Sequence, residues 1–170
     1  LNYREGDTPY AQDKWLVSLK NELMLQYQIH RNKVFLMGTG KAAHYASYLA
    51  TQYPREFRGA ALFNGAWNGP LEKLMSPKNN PEQQVPFWVA VDDSAVQPDL
   101  ERKALEMQNK GYPVQMEKVS VGSMASKEFR QKAIDWLDNK SDAWEQHVQS
   151  REKNLKEKIK GIIANNITIE

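Results

Sequence analysis

The chain contains no cysteine, so it can form neither a disulfide nor a thiolate metal site of its own. Imidazole is also scarce, because His30, His44 and His147 are its three histidines. No apolar run approaches the roughly 20 residues that a membrane-spanning helix requires, and no signal peptide is visible. Lys and Arg number 23 against 21 Asp and Glu. That balance excludes the strongly basic character typical of nucleic-acid-binding proteins.

What the chain does contain is the composition of a globular domain. It has 170 residues, of which 41% are apolar and 26% charged, enough for one domain with a core. Short apolar segments alternate with amphipathic helices, which favours right-handed crossovers and a parallel sheet. We predict an α/β fold in which a sheet of about four strands is flanked by helices in three layers. The predicted strands are residues 33–37, 58–63, 86–91 and 113–119.

The helices follow from apolar residues spaced three and four apart. They are predicted at residues 11–28, 41–52, 98–110 and 126–139. A further helix is predicted over residues 141–165, so we divide the chain into a domain at 1–140 and a helical tail at 141–170. The apolar stripe of that tail comprises Trp144, Val148, Leu155, Ile159, Ile162 and Ile163. Such a stripe packs on its own domain or docks a partner.

A glycine-rich turn, VFLMGTGKAAHYASYLATQYP, joins the first strand to the second helix. It does not match a phosphate-binding P-loop, because Phe35 stands where the first glycine belongs and Ala42 replaces the hydroxyl that holds magnesium. Gly38, Gly40 and Ala43 do match the G-x-G-x-x-G/A turn of dinucleotide-binding domains. The next strand ends without the acid that would bind the ribose, so a dinucleotide module remains a minor alternative.

A third interpretation accounts for more of the chain. The helix leading into HRNKVFLMG, the turn, and the helix ending in ATQYP are followed by REFRGAALFNGAW, VPFWVAVDDSAVQP and GYPVQMEKVSVGSM. In this order, residues 12–137 resemble the C-terminal half of an α/β-hydrolase, in particular of secreted esterases and polyester depolymerases. The resemblance implies a nucleophile turn, then an acid after the third strand, then a histidine after the fourth.

The nucleophile turn of that family reads G-x-S-x-G, with the serine on a strained corner. Here Gly38 to Ala42 read G-T-G-K-A, which places Gly40 at the nucleophile position. Glycine tolerates the corner but cannot attack a substrate. Thr39 is one residue off the corner. An engineered serine-to-glycine substitution would also place a glycine at position 40. Lys41 and Ala42 argue against it, because they depart from the family pattern too.

The acid and the base of the triad are no better represented. Asp93 is the better candidate for the acid and Asp92 the next. A shift of one residue would place Ser94 there, and both aspartates also suit an ordinary loop. The base is expected at residues 121–126, where Ser123 but no histidine occurs. His44 is predicted to be a packed, hydrogen-bonded side chain, His147 lies on the tail helix, and His30 lies at the opposite end of the strand from the corner. No Ser-His pair is therefore expected within hydrogen-bond reach.

Ligands of open parallel sheets bind at the carboxyl ends of the strands. The ligand-binding rim predicted there comprises Thr39, Gly40, Lys41, Asn64, Trp67, Asn68, Asp92, Asp93 and Ser123. Backbone amides at the start of the second helix suit an anion or carboxylate. Lys41 adds charge, or else pairs with an aspartate or stays in solvent. Trp67 is either a lid or part of the core.

The strand at residues 33–37 is predicted at an open edge, and open edges invite pairing. We expect either a missing segment of a longer protein or a partner chain beside it. The leading hypothesis is a non-catalytic α/β-hydrolase-like domain that binds a small molecule or a protein. The alternative is a serine esterase or peptidase whose nucleophile is mutated or whose site is completed by missing segments. We predict no metal and no cofactor, and the compartment stays open.

Overall fold

We describe a computed structural model of the chain, which covers residues 9–67, 70–93, 98–120 and 122–167. Asn68 and Ser94, both named above, lie outside the described residues. The described helices and strands are α1 (Pro9–Tyr27), β1 (Leu36–Thr39), α2 (Lys41–Gln52), β2 (Ala60–Phe63), β3 (Phe87–Asp92), α3 (Pro98–Asn109), β4 (Val114–Val119) and α4 (Lys127–Ile167). Short 3₁₀ turns at Pro70–Leu74, Pro81–Gln83 and Ser123–Ala125 interrupt the loops.

The four strands form one parallel sheet in the order β1-β2-β3-β4. The register pairs Leu36 with Ala60, Ala60 with Phe87, and Phe87 with Val114. The predicted fold class is therefore confirmed. β2 is buried along its length and β3 nearly so, as their continuous apolar sequences indicate, whereas β4 alternates because it lies at an edge.

Helices cover both faces of the sheet. On one face, α2 and α3 pack against Leu62, Val89 and Val91 in a cluster that also buries Trp67. On the other face, Leu137 of α4 packs with Phe63, Ala90 and Trp88. The result is the predicted three-layer arrangement, in which all four strands carry their carboxyl ends to one edge.

The first strand begins later than the sequence predicted. The prediction placed it at residues 33–37, but β1 runs over Leu36–Thr39. The backbone of Val34 does meet the next segment, since its carbonyl accepts from the amide of Arg58 at 2.8 Å. The regular ladder continues to Thr39 because Gly38 pairs with Leu62 and Thr39 with Phe63 before the chain turns. Within the described sheet, β1 is an edge strand, as predicted.

A buried carboxylate fastens α1 to α2. Asp13 is 1% exposed and accepts hydrogen bonds from three phenols: Tyr45 at 2.6 Å, Tyr48 at 3.0 Å and Tyr53 at 2.9 Å. Burial, and next the hydrogen bond to Asp13, raise the pKa of Tyr45 and of Tyr48 well above the ordinary tyrosine value. The phenols therefore stay protonated and supply the donors that a buried carboxylate requires.

The two predicted C-terminal helices form one continuous helix, α4, so the predicted break near residue 140 is wrong. Ser141 is buried, and its hydroxyl donates to the carbonyl of Asn32 at 2.5 Å. This hydrogen bond lets a polar residue pack in the interior. Trp144 donates to the carbonyl of Glu82, and Arg151 pairs with the Glu82 carboxylate. Beyond Arg151 the apolar stripe is exposed. The division into a domain and a tail stays a prediction.

Among the described helices, none combines the length and the apolar character needed to cross a bilayer.

Candidate functional site

The turn between β1 and α2 consists of one residue, Gly40. Its backbone has φ 56° and ψ −119°, a conformation costly for residues with a side chain. The Gly40 amide donates to the carbonyl of Phe63 at 2.8 Å, and its own carbonyl accepts from the amide of Ala43 at 3.0 Å. The sharp strand-to-helix corner predicted from the glycine pattern is therefore present, and hydrogen bonds to β2 and α2 hold its backbone in place.

The two glycines of the turn have different roles. A Cβ atom on Gly38 would lie 2.5 Å from the Ala42 carbonyl oxygen and 2.7 Å from the Ala43 nitrogen, so only glycine lets α2 approach β1 this closely. A Cβ atom on Gly40 would meet nothing within 4 Å. A side chain at the corner would thus project into open space.

The loops that follow β2 and β3 begin beside this corner. Asn64 follows β2 with φ 52°, and its amide donates to the carbonyl of Ala90 at 2.9 Å. The Asn64 side-chain oxygen accepts from the amide of Asp92 at 2.9 Å. Asn64 therefore fixes the loop after β2 to the end of β3. The Asn64-Gly65 dipeptide is a sequence signal for such a turn.

The two aspartates after β3 occupy different environments. Asp92 is half-buried beside Asn64, whereas the Asp93 side chain is exposed. The Asp93 amide donates to the carbonyl of Val119 at 2.8 Å, which extends the sheet pairing by one residue. Both backbones sit at the predicted edge of the sheet. The catalytic assignment of Asp93 stays a prediction.

Trp67 is a core residue, the second of the two interpretations offered for it. Its side chain is 1% exposed and meets Phe87 edge-on, with ring centroids 5.1 Å apart. Its amide donates to the hydroxyl of Ser47 at 2.9 Å. The indole therefore anchors the loop after β2 in the core and is not a lid over the corner.

The chain's three histidines occupy separate places. His44 lies one turn into α2, half-buried, with a hydrogen bond to the backbone of Ala66. Burial lowers its pKa below the ordinary histidine value, and the Ala66 hydrogen bond only partly offsets this. His30 is exposed in the loop before β1, 3.7 Å from Glu145, and His147 is exposed on α4. His44 is thus packed and hydrogen-bonded, as predicted.

Hydroxyls occupy the loop in which the resemblance implies a histidine. Ser123 begins a 3₁₀ turn, and its hydroxyl lies 2.6 Å from that of Ser120. Met124 packs against the apolar cluster beneath α4. Neither side chain can act as the imidazole base of a triad.

Thr39 and Lys41 share a cavity of about 400 Å³ on the open side of β1. Its walls are largely apolar and come from α1, β1 and α2, with Leu16, Leu36 and Leu49 among them. Lys41 is exposed, and no ion pair joins it to an aspartate within the described part of the chain. Asn64, Trp67 and Asp92 do not line this cavity. The structure thus divides the predicted rim into two groups.

No cluster of three or more histidine, aspartate or glutamate side chains suited to a metal ion occurs among the residues that the structure describes.

The glycine turn follows an edge strand of the described sheet. Dinucleotides bind where the strand order of an α/β sheet reverses, which places the glycine turn beside the middle of the sheet. Here the described order runs without reversal from β1 to β4. The described topology therefore gives the dinucleotide alternative no support.

Two solved structures have a similar backbone. One is a carboxylesterase of Bacillus cereus, with a TM-score of 0.56 and 19% sequence identity over 82% of this chain and 66% of the esterase. The other is YahD, solved with malic acid, with a TM-score of 0.56 and 13% identity over 77% of this chain and 63% of YahD. The chain thus spans just under two thirds of their length. No family model matches the sequence, and no curated protein matches it.

At these identities the likeness shows the fold alone. The likeness supports a parallel sheet with flanking helices that this chain shares with a carboxylesterase and with YahD. The fold implied by the resemblance of residues 12–137 is therefore confirmed. The fold does not determine activity, which depends on the residues at the site.

Proposed function

We propose that this α/β-hydrolase-like domain is non-catalytic and acts by binding a ligand or a protein. The observation that carries the proposal is the corner at Gly40, which has the backbone conformation of a strained turn but no side chain. A hydrolase of this type needs a nucleophile whose side chain leaves the corner toward the substrate. Glycine relaxes the corner and removes the attacking atom, which favours a scaffold over an enzyme.

The histidines support the same proposal. An activated hydroxyl needs an imidazole within hydrogen-bond reach. His44 is hydrogen-bonded to the backbone of Ala66, whereas His30 and His147 lie elsewhere in the chain and are exposed. Thr39, the hydroxyl nearest to the corner in sequence, ends β1 and lines the cavity on the open side of that strand.

The ligand that suits the site combines an apolar body with an anionic group. The cavity beside β1 offers apolar walls, with Lys41 at the start of α2. Lysine and the first amides of a helix favour a carboxylate or another anion. We therefore propose a small carboxylate with an aliphatic tail as the class of ligand. A protein segment that pairs with the open edge of β1 is the corresponding proposal for a protein partner.

Two observations favour the alternative, a hydrolase whose nucleophile is mutated or whose site is completed by further segments. A Cβ atom at Gly40 would meet nothing within 4 Å, so a serine has room there at the cost of backbone strain from the positive φ. The chain also spans only 66% and 63% of the two structural neighbours.

Labelling with a serine-directed phosphonate separates the two proposals. The unmodified chain and the Gly40→Ser variant are each treated with a fluorescent alkyl phosphonate and examined by intact-mass spectrometry. We expect no label on either, because no imidazole would activate the new hydroxyl. Gly40→Ala is the matched control, since it carries the same backbone strain without a hydroxyl. Stoichiometric label on the unmodified chain, or on Gly40→Ser but not on Gly40→Ala, overturns the proposal.

A further inference from the structure

A second cavity, which we call the basic pocket, lies at the opposite end of the sheet from Gly40. It has a volume of about 340 Å³ and is bounded by Arg31, Arg55, Arg58, Asn80, Glu82 and Trp144. Arg31 precedes β1 and Arg58 precedes β2, so both enter from loops at the amino-terminal edge of the strands. α4 closes the pocket with Trp144.

Arg58 is the buried member of the basic pocket. It is 3% exposed, its Nη1 donates to the carbonyl of Pro54 at 3.0 Å, and its guanidinium carbon lies 3.6 Å from the centroid of the Trp144 ring. Its Nε is buried and has no hydrogen-bond partner among the described residues. Burial lowers the pKa of Arg58 to about 10, an effect that the charge of Glu145 opposes. Arg58 is therefore a cation at neutral pH.

The pocket holds more positive than negative charge. Arg31 and Arg55 are exposed at its mouth, and within the described ranges neither they nor Arg58 pairs with a carboxylate. Glu82 lies on the wall, but its carboxylate pairs with Arg151, with 2.5 Å between Oε1 and Nη1. Three guanidinium groups thus surround one cavity whose wall carboxylate is already neutralised.

Among the described residues no carboxylate forms an ion pair with Arg31, Arg55 or Arg58. Glu145 acts on Arg58 through its charge alone, and its carboxylate accepts a hydrogen bond from the Asn32 amide. Burying a charge is costly unless that charge is paired, and a guanidinium presents a planar fork of donors that matches the oxygens of a phosphate or carboxylate. We propose that the basic pocket binds a phosphate group, either as inorganic phosphate or as the phosphomonoester of a small organic molecule. Arg58 contacts the anion from the floor, and Arg31 and Arg55 close over it. The site is separate from the corner and does not depend on the proposed function.

Calorimetric titration of the chain with inorganic phosphate, and separately with glycerol 3-phosphate, tests the proposal at a constant ionic strength set with sodium chloride. We expect saturable binding of one anion per chain. Equal affinities for the two probes identify the phosphate group alone as the ligand, and tighter binding of the ester shows that the pocket also holds the organic part. No saturable binding of either probe overturns the proposal.

Two pairs of substitutions locate the binding. Arg31→Gln together with Arg55→Gln removes two exposed charges without altering the buried Arg58, so the fold is retained. We expect the affinity for phosphate to fall at least tenfold. Arg102→Gln with Lys153→Gln removes the same charge from exposed positions elsewhere, and we expect a change below twofold. Equal losses in the two double variants would show charge alone at work and would overturn the site.

Discussion

A methyl group on Gly65 would lie 2.7 Å from the carbonyl oxygen of Gly40. The loop after β2 therefore touches the corner so closely that only a hydrogen fits between them. The same methyl group would lie 3.3 Å from Cε1 of His44. Gly65 thus links the turn after β1 to the first turn of α2, and the shape of the corner depends on a residue of the following loop.

Gly65→Ala should therefore strain the corner. Because the new methyl group meets backbone and not a flexible side chain, we expect a loss of about 1–3 kcal/mol in the free energy of unfolding, the usual cost of overpacking. Chemical denaturation measures it. Gly161→Ala on exposed α4, where an added Cβ meets nothing, is the control and should gain about 0.5–1 kcal/mol from the reduced freedom of the unfolded chain. An unchanged stability for Gly65→Ala would show that the two loops are not in contact.

Asp13→Asn should loosen α1 from α2. The amide cannot accept from all three tyrosines as the carboxylate does, and a hydrogen bond to a buried charged group contributes about 1.5–3 kcal/mol. We expect a loss of that size by urea denaturation. Asp93→Asn is the matched control, because that side chain is exposed, and it should stay within about 0.5 kcal/mol of the unmodified chain. Equal effects of the two substitutions would contradict the buried role of Asp13.

His44 should make stability depend on pH near neutrality. Its pKa is lowered in the folded chain, so the unfolded chain binds more protons as the pH falls below about 6.5, and stability is lost as the pH decreases from there toward the folded pKa. Replacing His44 by Gln should flatten the melting temperature between pH 7 and pH 5. His147→Gln, at an exposed position, should leave the slope unchanged. A slope that survives His44→Gln would assign the titration to another group.

The proposed carboxylate ligand can be tested at Lys41. Hexanoate combines a carboxylate with an aliphatic tail that suits the cavity beside β1, and calorimetry measures its binding. We expect saturable binding that weakens at least fivefold in Lys41→Gln, because the anion loses its cation. Lys73→Gln, also exposed but away from the cavity, serves as the control. Binding that is unaffected by Lys41→Gln would place the ligand elsewhere.

Sequence periodicity predicted the sheet and the elements next to the corner. The bounds of α2 match the prediction of residues 41–52, because the glycine turn marks where that helix begins and Pro54 marks where it ends. Continuous apolar runs predict β2 and β3, because such runs are typical of strands that are buried on both faces. The resemblance to the G-x-S-x-G turn also predicts the corner at Gly40, since Gly38 stands at the first glycine of that pattern.

What periodicity missed depends on contacts between distant parts of the chain. Asp13 reads as one polar residue on an amphipathic helix, but its partners lie 32 to 40 residues away on and after α2. The sequence predicts two helices divided near residue 140, whereas α4 runs continuously through Ser141, whose hydroxyl donates to the carbonyl of Asn32. The sequence carries no signal for the burial of Arg58, because that burial depends on Trp144, a residue distant along the chain that packs against it.

The central claim is that a hydrolase-type corner without a nucleophile performs no hydrolysis, and the rate of p-nitrophenyl butyrate hydrolysis by the purified chain tests it most directly. We expect a rate equal to that of the Asp93→Ala and Lys41→Ala variants and no higher than the buffer background. Hydrolysis that remains with the purified chain and is lost in either variant would contradict the claim.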